Sequence, residues 1–294
     1  MSIFKGSGVA IITPFKEGRI DYDALESLID WHVESGTDAI IVCGTTGEAS
    51  TLSAVEKLSV IEFTVQKTAG RIPVIAGAGT NDTSHSMYLA KEIQYAGADG
   101  LLVVTPYYNK ATQEGLVQHY NMIADYTDLP MILYSVKSRT GLNIAPETVK
   151  KLSKHPNIVG IKEASGDISQ IARIAALCGK DFDLYSGNDD QTIPIMSLGG
   201  VGCISTAANI IPAEYHQMTA DFLRGRYKSA AKMQLKMIPL IRALFAEVNP
   251  IPVKAALNIM GRIEKEYRLP LCDPTNETLY QLYDEMNRFG IKIQ

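Results

Sequence analysis

The chain is short of several features, and each shortage excludes a class of protein. Only four cysteines occur in 294 residues: Cys43, Cys178, Cys203 and Cys272. They have neither CxxC nor ligand-like spacing, which argues against a disulfide scaffold or a zinc site and fits reduced thiols in a cytoplasmic protein. No apolar run approaches the roughly 20 residues of a membrane span, so no membrane partner is expected. The N-terminal stretch meets Pro14 after a short apolar run and lacks a small-residue cleavage site, so no secretory leader is expected either. Excess charge is missing too: 28 Lys and Arg stand against 32 Asp and Glu, a formal net charge of −4. That balance disfavours a nucleic-acid partner. The five histidines show no metal-ligand spacing and read as helix-surface or loop residues. There is no Walker or dinucleotide fingerprint.

What the chain does have is a repeat of alternating character. Eight short runs rich in β-branched residues fall at 8–15, 38–44, 73–79, 99–106, 130–136, 158–164, 182–188 and 200–206. Their centres are continuously apolar, as in strands buried on both faces of a parallel sheet. The stretches between them read as helices. Residues 21–35 place Leu25, Leu28, Ile29 and Val33 on one face, and Ser53 with Glu56 forms a capping box ahead of Leu58, Ile61 and Val65. Eight such units predict a (β/α)8 TIM barrel over residues 1–225. Residues 226–294 offer no strand candidate and read as a C-terminal helical appendage of three helices, broken near Pro250 and Pro270.

A barrel of this kind carries its active site at the C-terminal ends of its strands. The second run ends in Gly44-Thr45-Thr46-Gly47-Glu48, where two glycines and two hydroxyls could admit a small carboxylate. The fifth carries Tyr134 and leads to Arg139, able to clamp a carboxylate with two hydrogen bonds. The sixth carries Lys162 after four apolar or small residues. An amine drawn into apolar surroundings loses its preference for the charged form, which suits a lysine that attacks a carbonyl. Its alternative is a lysine paired with Glu163 or reaching for solvent at a strand end. Tyr134 beside it could relay protons, since a phenol both donates and accepts. Asp189-Asp190, without a third ligand, reads as a helix N-terminus.

These segments, GTTGE at 44–48, TPYYN at 105–109, Y-x-V-x-S-R-T-G at 134–141 and GIKEA at 160–164, resemble the dihydrodipicolinate synthases among the pyruvate-dependent class I aldolases. The resemblance implies condensation of pyruvate with L-aspartate 4-semialdehyde to give 4-hydroxy-tetrahydrodipicolinate, with no metal or organic cofactor. By that similarity Lys162 forms the imine with pyruvate. Tyr134, Thr45 and Tyr108 form a proton relay, Tyr108 reaching into a neighbouring subunit's site. Thr45 and Thr46 hold the pyruvate carboxylate, Arg139 receives that of the semialdehyde, and Gly187 and Ile204 line the site. A homotetramer built as a dimer of dimers is implied. Ser135 and Lys137 depart from the family's usual Asn and Pro. Ala54, Lys57 and His85 stand where lysine-inhibited members tend to carry His or an acidic residue, implying weak or absent inhibition by lysine. The nearest rivals are the sialic-acid lyases and 2-keto-3-deoxy sugar acid aldolases, which share the tyrosine and lysine. A remoter one is a barrel that only binds.

Overall fold

The computed structural model describes residues 2–293. Eight parallel strands close into a barrel: β1 Gly6–Ala10, β2 Ala39–Val42, β3 Val74–Gly77, β4 Gly100–Val104, β5 Met131–Ser135, β6 Ile158–Glu163, β7 Asp183–Ser186 and β8 Gly202–Ser205. Each strand pairs with its sequence neighbours, and β1 closes the ring against both β8 and β2. All eight expected runs form strands. The first stops early, at Ala10, and residues 15–20 fold into a two-stranded hairpin. The ladder ends because Ile12 N donates to the Asn209 side-chain oxygen at 3.1 Å instead of to a neighbouring strand.

The outer ring is α1 Tyr22–Glu34, α2 Ala54–Thr68, α3 Thr83–Tyr95, α4 Gln113–Asp125, α5 Pro146–Leu152, α6 Ile168–Cys178, α7 Thr192–Ser197 and α8 Pro212–Leu223. Three more helices follow, α9 Tyr227–Leu244, α10 Ile251–Ile259 and α11 Asn276–Phe289. Among the described residues no helix is long and apolar enough to cross a membrane. Local signals explain the starts: Ser53 and Glu56 make both bonds of the capping box on α2, and Asp21 accepts from Ala24 N at 3.0 Å on α1. The buried stripe of α2 is Val60, Ile61, Thr64 and Thr68, rotated from the expected Leu58-Ile61-Val65 face.

Period-two alternation divides the strand side chains into two cores. Outward residues such as Val9, Ile40, Val103, Leu133 and Ile161 pack under the helices. Inward ones, among them Ala39, Ile41, Ile75, Leu102, Ile132, Tyr134, Tyr185 and Ile204, fill the barrel. Phe4 closes its N-terminal end, its ring stacked 4.6 Å from that of Tyr185. With the bottom plugged, the interior opens only where the strands end.

Two histidines expected at the surface are buried. His32 follows Leu28 by four residues and Ile29 by three, so it shares their inward face; it is fully buried against Thr37 Oγ1 at 3.0 Å. His119 sits likewise between Leu116 and Ile123 and meets Thr83 Oγ1 at 2.9 Å. Burial pushes His32 down to about 3 and His119 to about 4. Below the unfolded value of 6.5 the unfolded chain therefore binds more protons, and each histidine removes about 2 kcal/mol of stability by about pH 5. Buried Glu163 and Asp189 are shifted upward and act in the opposite sense. The comparison is thus with His119→Asn, whose stability should fall less between about pH 7 and pH 5 by that amount in urea unfolding. Equal falls in both proteins would contradict it.

Candidate active site

The register of β5 on β6 sets Tyr134 opposite Lys162, and Ser135 opposite Glu163. The first pair points into the barrel and the second away from it. Lys162 is 6% exposed and its Nζ lies 4.4 Å from the centroid of the Tyr134 ring. Among the described residues it forms no ion pair. Glu163, the partner of the alternative reading, instead accepts from Ser165 N at 2.7 Å and Gln170 Nε2 at 3.4 Å beneath the helices. Burial raises its carboxyl above the usual range. Room for the lysine comes from Gly187, just after β7: a Cβ there would meet Ala164 Cβ at 2.8 Å and Lys162 Cε at 3.1 Å. Ile204 of β8 is buried in the same interior cluster.

Above this pair lies a cavity of about 300 Å³, lined by Thr45, Tyr134, Arg139, Thr140, Tyr107, Cys43 and Lys57 among others. A larger depression, about 680 Å³, sits at the opposite end around Phe4, His155 and Asp183. It adjoins the N-terminal ends of β6 and β7, so it is remote from Lys162. Thr45 borders the active-site cavity, whereas Thr46 is 3% exposed behind it. Thr46 Oγ1 lies 3.3 Å from Thr206 Oγ1 and accepts from Asn249 Nδ2 at 2.9 Å. Arg139 stands on a single helical turn, Lys137–Thr140, and its Nη2 donates to Asn249 O at 2.9 Å. Lys57 is a second lysine on the cavity wall, its amine pushed below the ordinary value by burial. Among the described residues no cluster of three or more His, Cys, Asp or Glu could hold a metal ion.

Tyr108, another expected site residue, does not line the cavity. It is 92% exposed with φ +69°, and its neighbour Tyr107 takes the place on the cavity wall.

The whole chain is similar to known proteins. The family model described as "Dihydrodipicolinate synthetase family" matches residues 3–288. The chain belongs to the dihydrodipicolinate synthetase family. The 4-hydroxy-tetrahydrodipicolinate synthase of Thermoanaerobacter sp. (strain X514) is 56% identical over 292 residues, 99% of this chain and 98% of that one. The structure of dihydrodipicolinate synthase from Thermotoga maritima superposes with a TM-score of 0.97 at 44% identity, covering 99% of this chain and 100% of that one. The chloride-inhibited dihydrodipicolinate synthase of Acinetobacter baumannii, complexed with pyruvate, gives 0.96 at 43% identity, covering 98% and 99%.

Several contributors to this site escape a reading by motif. Glu48, the last residue of GTTGE, has φ +52° and forms a fully buried ion pair with Lys254 of α10 at 2.5 Å. Its second oxygen accepts Arg268 N at 3.2 Å, and the Arg268 side chain reaches Glu56 and Thr51 O. Lys254 Nζ also lies 4.3 Å from the Phe15 ring centroid. The one signal was a lysine inside the apolar run IPVKAAL, which demands a buried partner. Asp189 is likewise more than a helix start: 3% exposed, it accepts from Thr206 N at 3.1 Å and Ala207 N at 2.9 Å, tying the β7 and β8 loops together.

Removing one member of a buried pair strands the other charge. Lys254→Met should therefore destabilise the protein by about 3–5 kcal/mol in urea unfolding, and adding Glu48→Gln should restore a large part of that. A loss of under about 1 kcal/mol in the single variant would show the pair to be dispensable.

Proposed function

We propose that the chain condenses pyruvate with L-aspartate 4-semialdehyde through a lysine Schiff base, giving 4-hydroxy-tetrahydrodipicolinate. The observation that carries this reading is Lys162 buried against Tyr134, with no carboxylate pairing it, beneath a cavity walled by Thr45 and Arg139. The Lys162 amine adds to the pyruvate ketone, and loss of water leaves an imine. Loss of a C3 proton then gives an enamine, which attacks the aldehyde carbon and passes the electron pair to the aldehyde oxygen, protonated in turn. The semialdehyde's own amine displaces Lys162 as the ring closes. The enamine supplies the nucleophile, so the reaction needs neither metal nor organic cofactor.

Tyr134 and Thr45 carry the protons in this scheme, Thr45 and Thr46 hold the pyruvate carboxylate, and Arg139 holds that of the semialdehyde. Gly187 and Ile204 shape the wall around the imine. An arginine on the cavity wall favours a carboxylated aldehyde over the sugar substrates of other pyruvate-dependent aldolases. Tyr108 completes the relay from a second subunit, which makes a dimer the smallest complete unit and a dimer of dimers the expected assembly. Its exposed side chain, the exposed Tyr88 and Tyr95 of α3, Met122 of the adjacent α4 and Tyr126 just after it support such a face. Four unpaired cysteines fit the cytoplasm. Ala54, Lys57 and His85 offer a lysine ammonium no countercharge, which supports weak or absent inhibition by lysine.

The test is borohydride reduction of the protein incubated with pyruvate, with peptide mapping. One pyruvyl adduct on Lys162 is expected, absent in Lys162→Ala and formed about a hundredfold more slowly in Tyr134→Phe. An adduct on Lys57, or none, would overturn the assignment.

A further inference from the structure

We propose that Asn249, in the turn between α9 and α10, is a positioning residue that sets the Thr46 hydroxyl as a donor toward the pyruvate carboxylate. The inference rests on the pyruvate reading above. Asn249 is 7% exposed and touches two groups from separate barrel loops. Its side-chain amide donates to Thr46 Oγ1 at 2.9 Å, and its main-chain carbonyl accepts Arg139 Nη2 at 2.9 Å.

A hydroxyl has one proton and two lone pairs. Once Thr46 accepts from Asn249, its own proton is free to point elsewhere. The neighbouring oxygen, Thr206 Oγ1 at 3.3 Å, lies beyond the usual range for an O–H···O bond. A carboxylate oxygen is a stronger acceptor and would take that proton. Asn249 Oδ1 is buried with no hydrogen-bond partner among the described residues. Turning the amide round would give Thr46 an acceptor that consumes its proton and would leave the NH2 group unmatched. With Nδ2 toward Thr46, as the side chain is placed, Thr46 remains a donor.

Side chain and main chain act on different groups, which makes the idea separable from general damage. Asn249→Ala removes the bond to Thr46 and keeps the carbonyl that holds Arg139. The KM for pyruvate should rise about tenfold or more, the KM for the aldehyde should change little, and kcat should fall less than kcat/KM. In a Thr46→Val background the same substitution should add nothing further. Asn249→Asp is close in shape but accepts only, so it should take the Thr46 proton and weaken pyruvate at least as much; it decides the matter if the Ala variant does not fold. Borohydride trapping at saturating pyruvate should still label Lys162 in each folded variant. An unchanged pyruvate KM, or a parallel rise in both KM values, would overturn the proposal. Failure of the unaltered protein to trap pyruvate would instead overturn the functional reading on which it rests.

Discussion

The parallel register between β5 and β6 is the constraint on which the site depends. It places Tyr134 beside Lys162 and, because side chains alternate, turns Ser135 and Glu163 to the other face. A shift of β6 by one residue would set Glu163 beside Tyr134, giving the barrel a carboxylate and leaving the amine under the helices. The amine then stands in the interior against an aromatic ring, with the bottom sealed by Phe4 and Tyr185. Gly187 completes the arrangement from β7, since a side chain there would collide with the lysine stem.

The C-terminal helices are the second support. Lys254 and Arg268 reach the end of the β2 loop through Glu48, and Asn249 reaches the Thr46 hydroxyl and the Arg139 guanidinium. Gln234 of α9 also donates to Asp189 O at 3.0 Å, touching the β7 loop. The appendage thus meets three of the loops at the open end of the barrel. A buried ion pair adds little net stability over apolar packing, but losing one partner is costly, so the Glu48–Lys254 pair ties the GTTGE loop to α10.

Much of this was legible in the sequence because the signals are local. Continuous apolar runs marked every barrel strand, and the capping box marked α2. Lys162, Tyr134, Thr45 and Arg139 were singled out because barrel chemistry gathers at strand ends, and the fold brings Thr45, Tyr134 and Arg139 to one cavity with Lys162 against the Tyr134 ring. The direction of Glu163 was also implicit, since adjacent strand residues face opposite ways. His32 and His119 were misplaced although their spacing from Leu28 and Leu116 put them on buried faces. Hydrogen bonds to Thr37 and Thr83 make that burial tolerable. Asn249 and Lys254 lie some two hundred residues from Thr46 and Glu48, and no local pattern carries such a contact. Tyr108 belongs to neither group: its side chain is exposed on the single chain, and only the resemblance gave it a role.

The most direct test of the account is a crystal structure of the protein grown with pyruvate. Continuous density from Lys162 Nζ to the ketone carbon, with the carboxylate against Thr45 and Thr46, is the predicted result. Pyruvate bound without a covalent link, or joined to Lys57, would contradict it.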